Sequence, residues 1–129
     1  MAGSTKVGTF RVSFFVSNIT QPDKRVSLEG LVDTGATYPF IPEDTLQRLN
    51  IQPQSHKKFT FADGSQKEMS IGEARISLNG ASAPCLVVFA PPKTEPLFGA
   101  LALESLGLEV DPVNRRLKPA TLYLAQTTF

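Results

Sequence analysis

The sequence contains no tryptophan, one cysteine and one histidine, and each scarcity removes a class of chemistry. A single thiol, Cys85, cannot close an internal disulfide, which fits a reducing compartment. It precedes the apolar run Leu86–Ala90 and reads as an ordinary buried thiol, not a nucleophile. His56 lies in the polar stretch QPQSHKK, residues 52–58, and reads as a surface residue. One His and one Cys do not make a tetrahedral zinc set, so no metal is expected. No Gly-rich phosphate loop occurs, and no cofactor is expected. Charge of one sign is also lacking. With 13 basic and 12 acidic residues the net charge is +1, and Lys57-Lys58 and Arg115-Arg116 are pairs, not patches. Nucleic acid and anionic membrane are therefore not expected partners. No apolar run approaches the roughly 20 residues of a membrane span. The opening MAGSTKVGTF has no apolar signal-peptide core, so a cytoplasmic location is the expectation. Asn18-Ile19-Thr20 matches a glycosylation sequon but, without such a signal, reads as a polar turn. Elimination leaves carboxylates as the catalytic groups.

What is present is a chain of 129 residues, enough for one domain, with ten prolines and nine glycines punctuating short β-branched runs. That pattern predicts an all-β fold. Residues 1–8 read as a mobile tail. Strands are expected over Thr9–Ser17, Arg25–Val32 and Tyr38–Ile41, with a turn at NITQPDK and Pro39 at an edge or bend. Pro42-Glu43-Asp44 opens a short helical pattern that Pro53 closes. Residues 57–80 read as one long hairpin with Asp63-Gly64 at its polar tip. Pro84–Ala90 is an apolar strand. Ala100–Leu106 has helix-forming composition and ends at Gly107. Leu108–Val110 and Leu117–Pro119 flank DPVNRR as a further hairpin, and TLYLA, residues 121–125, offers a last strand.

The stretch LEGLVDTGATYPFIP, residues 28–42, stands apart. It delivers Asp33 from an apolar strand into a turn of small residues, and a poorly solvated carboxylate is costly unless paired or hydrogen-bonded. Gly35, with no side chain, lets another backbone approach closely. A plain β-turn, with Asp33 bonding its own backbone, is the competing reading of the tripeptide alone.

Taken together, LVDTGA, the polar-tipped FTFADGSQKE and the turn LFGALALESLG resemble the retropepsin-like aspartic proteases over about residues 9–110. The tail LGLEVDPVNRRLKP is similar to that of prokaryotic members. The resemblance implies an all-β acid-protease barrel with a flap hairpin and a short C-terminal helix, working as a C2 homodimer. It implies a protease domain at 9–110 with a C-terminal β extension at 111–129. It implies Asp33, Thr34 and Gly35 as catalytic residues. Substrate contacts are implied for Ala36 and Thr37, for Phe61, Ala62, Asp63, Gly64 and Ser65 of the flap, and for Leu97, Phe98 and Gly99. Phe40 and Ile41 are further pocket candidates.

Aspartic proteolysis needs two carboxylates sharing a proton, and only one Asp-Thr-Gly is present. The second Asp33 is therefore expected from another copy, with activity falling as the shared proton is lost. Three departures from the family pattern stand out. Thr37 replaces an acid, Ala100-Leu101 replace Arg with Asn or Asp, and the flap tip has a single glycine. The resulting expectation is an aspartic endopeptidase acting on peptide or protein. The alternatives are a catalytically silent peptide-binding or dimerisation module of the same fold, or a plain β-barrel interaction domain.

Overall fold

The structure, a computed structural model, describes residues 10–121. The tail expected at residues 1–8 and most of the strand expected at 121–125 lie outside the described residues. β1 (Phe10–Asn18) and β2 (Gln21–Val32) form an antiparallel hairpin. Its turn is tighter than the heptapeptide NITQPDK predicts, because Asn18 supplies the turn's bonds itself. The Asn18 Oδ1 accepts from the Thr20 N–H at 2.9 Å and from the Thr20 hydroxyl at 2.8 Å. Its Nδ2 donates to the Leu49 carbonyl at 3.0 Å, tying the turn to the end of the first helix.

That helix, α1 (Glu43–Arg48), follows the short strand β3 (Phe40–Pro42). Glu43 and Asp44 in its first turn complement the helix dipole, and Leu46 is fully buried. Pro39 is buried just before β3, not within it, and its carbonyl accepts the Val88 N–H at 2.9 Å.

β4 (Ser55–Thr60), β5 (Gln66–Leu78) and β6 (Ala81–Ala90) come next. The single long hairpin expected at 57–80 is in fact two. β4 pairs with β5 only over residues 66–71 of the longer strand. β5 then continues into a second hairpin with β6, which pairs from Ile71↔Val88 to Leu78↔Ala81. Asn79 (φ 50°) and Gly80 (φ 86°) form its two-residue turn, the left-handed pair that matches strand twist.

β7 (Leu97–Phe98) leads into α2 (Ala100–Leu106), which stops at Gly107 in the left-handed region (φ 67°). β8 (Leu108–Asp111) and β9 (Arg116–Pro119) make a separate hairpin, each one residue longer than expected. Leu108, Val110 and Leu117 pack from this hairpin onto the main core.

The sheet runs β1-β2-β7-β3-β6-β5-β4, and β1 also pairs with β5 at Phe15↔Ser77 to Ser17↔Arg75. That pairing closes six strands into a barrel and leaves β4 outside it, hung on β5. Inside lie Phe14, Val16, Ile41, Ile76, Val87 and Phe98, none more than 1% exposed. Phe14 and Phe98 meet edge to face at 5.0 Å, each ring stabilising the fold by roughly 1.5–3 kcal/mol of burial. A smaller cluster of Met69, Ile71 and Val88 sits where β4–β5 leaves the barrel, with Tyr38, Phe40, Phe59, Phe61 and Leu86 against it.

β7 occupies an unusual place. It pairs in parallel with β2 (Leu31↔Leu97, Val32↔Phe98) and antiparallel with β3 (Phe40↔Leu97). Two strands adjacent in sequence are thus held apart by a third, and the loop between them must pass over the start of α2. Asp33 lies on that loop.

Candidate active site

The apolar end of β2, Leu31-Val32, carries the chain to Asp33, whose residue surface is only 4% exposed. The Asp33 N–H donates to the Phe98 carbonyl at 3.2 Å, so β7 fixes its backbone. Beyond it the chain turns sharply. The Ala36 N–H donates to the Asp33 carbonyl at 3.1 Å, and the Gly35 N–H donates to Asp33 Oδ1 at 2.9 Å. Thr34 and Gly35 are exposed on this turn. The carboxylate is therefore both bonded to its own backbone, as the β-turn reading held, and set at the edge of a groove.

The rest of the loop rests on α2. The Ala100 N–H donates to the Ala36 carbonyl and the Leu101 N–H to the Thr37 carbonyl, each at 2.8 Å. These bonds satisfy the first N–H groups of α2 and tie helix to loop through the backbone. The side chains of Ala100 and Leu101 have no part in that tie. Gly99 makes it possible: a Cβ there would stand 2.7 Å from the carbonyl oxygens of both Ala36 and Tyr38.

A groove of about 430 Å³ opens beside Asp33. The loop residues Gly35, Ala36, Thr37 and Tyr38 line one side with Phe40 and Leu97. Phe59, Thr60, Phe61 and Ala62 of the β4–β5 hairpin line the other. Asp33 is the one ionisable acid or base among these residues apart from the Tyr38 phenol, and aromatic rings dominate the walls. An extended peptide could lie in it, its backbone beside the Asp33 carboxylate and its apolar side chains against the rings.

The hairpin's tip is built for a sharp reversal. Gly64 has φ 85°, its N–H donates to the Phe61 carbonyl at 2.9 Å, and the Phe61 N–H donates to the Ser65 carbonyl at 2.8 Å. Asp63 Oδ1 accepts from the Ser65 hydroxyl at 2.6 Å and the Ser65 N–H at 2.9 Å. Those two bonds, the hydroxyl's first, hold the Asp63 carboxyl below the usual carboxylate range.

The structure gathers Asp33, Gly35, Ala36, Thr37, Phe61, Ala62 and Leu97 around one groove. Thr34 lies on the turn beside it. Asp63, Gly64 and Ser65 form the exposed tip and do not line the groove within a single chain. Phe98 and Ile41 point into the barrel core, and Gly99 lies buried beneath the loop, so none of the three faces the groove. Phe98 and Gly99 serve the site from below, through a carbonyl and a missing side chain. Tyr38, Phe59 and Thr60 join the groove without a motif that marks them in the sequence. The alternation of Phe59 with Phe61 is the available signal for Phe59, since residues two apart share a strand face. Among the described residues no cluster of His, Cys, Asp and Glu could hold a metal, and no helix is long and apolar enough to cross a membrane.

Comparison with solved structures gives a retropepsin-like aspartic protease from Rickettsia conorii at TM-score 0.57 and 18% identity, covering 80% of this chain and 76% of that one. The solution structure of simian foamy virus (mac) protease matches at TM-score 0.50 and 16% identity, covering 72% of this chain and 92% of that one. At such identities these likenesses establish the fold. A search of curated proteins finds no match. The family model described as "gag-polyprotein putative aspartyl protease" matches residues 23–105, which span most of β2, the Asp33 loop, the hairpin and most of α2. The chain belongs to that family, the retropepsin-like aspartic proteases.

Proposed function

We propose that this chain is one half of an aspartic endopeptidase, a homodimer in which Asp33 of each copy faces the other across a two-fold axis. The observation that carries the reading is the seat of Asp33. A carboxylate with 4% of its residue surface exposed is fixed at the end of a strand and beside an aromatic groove, within a family of aspartic proteases. The chain has a single Asp-Thr-Gly, so the second carboxylate comes from a second copy.

The chemistry follows from two acids about 3 Å apart, which cannot both ionise. A water molecule lies between them. The ionised carboxylate takes a proton from it as general base, while the protonated one donates to the scissile carbonyl oxygen. A tetrahedral gem-diol forms, the C–N bond breaks, and the proton passes to the leaving amine. The β4–β5 hairpin acts as the flap. With its tip at Gly64 it lies over an extended peptide and offers main-chain bonds, as an added strand receives. The substrate is a peptide or an unfolded protein segment. A reducing compartment such as the cytoplasm suits the lone buried thiol.

The test is cleavage of a diverse peptide library by wild type and Asp33→Asn between about pH 3.5 and about pH 7, because a coupled pair titrates as a unit and its pH dependence must be sampled. Cleavage by wild type alone supports the proposal. Cleavage by neither at any pH refutes it and leaves a silent peptide-binding module. Sedimentation supplies the second arm, since a monomer at concentrations that cleave contradicts a shared site.

A further inference from the structure

We infer that Phe59 is a positioning residue that latches the stem of the flap to the Asp33 loop and thereby sets how tightly the groove holds a peptide. The inference rests on the reading of the groove as a substrate site.

Backbone pairing leaves the flap loosely attached. Among the described residues β4 is the last strand of its sheet and pairs only with β5. The ladder joining β5 to β6 begins at Ile71↔Val88, so residues 66–70 have no strand on their other edge among the described residues. The flap therefore leaves the barrel as a two-stranded ribbon, and such a ribbon has marginal rigidity without side-chain packing.

Phe59 supplies that packing at one point. Its ring stands 5.7 Å from that of Tyr38 at an interplanar angle of 89°. It stands 5.8 Å from the ring of Phe40 at 70°. Both are edge-to-face arrangements, in which the positive edge of one ring meets the negative face of another. Tyr38 lies on the Asp33 loop, with its carbonyl against Gly99, and Phe40 opens β3. The ring of Phe59 thus joins the hairpin to the place where the Asp33 loop enters β3. Phe61, also on the groove side, has no such ring pair among the described residues. Two aromatic contacts of ordinary strength shift an open–closed equilibrium by about 5- to 140-fold in total.

The experiment compares wild type with Phe59→Ala, Phe59→Leu and Phe59→Tyr in two measurements. In steady-state cleavage of a neutral peptide, Phe59→Ala is expected to raise KM by at least about 5-fold with kcat within about 2-fold, because the chemistry at Asp33 is untouched. Phe59→Leu keeps bulk without a ring and is expected to fall between. Phe59→Tyr keeps the ring and recovers most of the loss. In amide hydrogen exchange, Phe59→Ala is expected to speed exchange over residues 57–66 by about 5-fold or more, leaving β1 and β2 unchanged.

Equal acceleration across the barrel overturns the latch in favour of general core packing. A fall in kcat at constant KM overturns it in favour of an effect on Asp33 itself. Local acceleration with unchanged KM overturns the claim that the latch governs peptide binding. The exchange measurement needs no cleavage, so a wild type that cuts nothing sinks the protease reading while the latch is still decided.

Discussion

Replacing Gly99 by alanine is the sharpest probe of how the Asp33 loop is held. Its φ of −84° is ordinary for any residue, so the substitution carries no penalty of backbone conformation. The penalty is space. The new Cβ would stand 2.7 Å from the Ala36 oxygen, 2.7 Å from the Tyr38 oxygen and 2.8 Å from the Tyr38 carbonyl carbon. All three are backbone atoms and cannot swing aside as the end of a side chain could. Overpacking of this kind costs about 1–3 kcal/mol. Moving the loop away also stretches the bonds from Ala100 to Ala36 and from Leu101 to Thr37, each worth about 1 kcal/mol net. The expected loss is about 2–4 kcal/mol, a large share of the roughly 5–15 kcal/mol that holds a domain folded. Urea denaturation reads it as a lower midpoint at unchanged slope. Gly80→Ala is the contrasting control: nothing lies within 4 Å of its Cβ, and its penalty comes from φ +86° alone, about 1–2 kcal/mol. If Gly99→Ala lies within about 0.5 kcal/mol of wild type, the loop does not rest on α2. Because the same shift displaces Asp33, the proposed cleavage should fall further than stability does, by about 100-fold where the protein remains folded.

Asp33→Asn should abolish cleavage yet leave thermal unfolding within a few degrees, since the amide oxygen still accepts the Gly35 N–H; collapse of the fold would mean the carboxylate is structural. Asp63 titrates below its ordinary value when folded, so its stabilisation of the β4–β5 hairpin tip is present above the unfolded value and is lost as pH falls through the folded one. The Ser65 amide resonance should therefore hold steady from about pH 7 to about pH 5 and shift only in the acid range, and Asp63→Asn should erase that shift. Burial raises the Cys85 thiol above its ordinary value, so alkylation should be slow in the native protein at neutral pH and reach the free-thiol rate in urea. The same shift means stability declines as pH rises past about 8.5, where the unfolded thiol ionises and the native one stays protonated. A native thiol reacting at the unfolded rate would contradict the burial.

Features governed by neighbours along the chain are legible in the sequence. Ala100–Leu106 forms the helix expected, because Gly107 adopts the left-handed conformation that ends it. Asp33 lies at the end of an apolar strand because Leu31-Val32 and the small residues after it dictate both. What stays hidden depends on distant partners. β6 joins β5 at Ile71 on the edge opposite β4, and that second pairing depends on a distant strand, so two hairpins read as one. Leu97 and Phe98 are equally apolar and point to opposite faces of a two-residue strand, and only its neighbours decide which one meets the groove. Tyr38 lies in the short stretch after Asp-Thr-Gly-Ala, and its value to the site depends on Phe59 arriving from the hairpin. Asn18 reads locally as a turn residue within a sequon, whereas its side chain also bridges to the end of α1.

The insertion of β7 between β2 and β3 also orders events during synthesis. Asp33 is made before Phe98, whose carbonyl anchors its N–H, and before Ala100 and Leu101, which support its loop. A ribosome-bound chain that stops short of Pro96 can pair β1 with β2 and β5 with β6, yet lacks the Phe98, Ala100 and Leu101 bonds that seat the Asp33 loop. Pairings this far apart in sequence form late. The site is thus absent from the nascent chain until β7 and the start of α2 have been made, and fragments truncated in the β6–β7 connection carry the Asp-Thr-Gly without its seat.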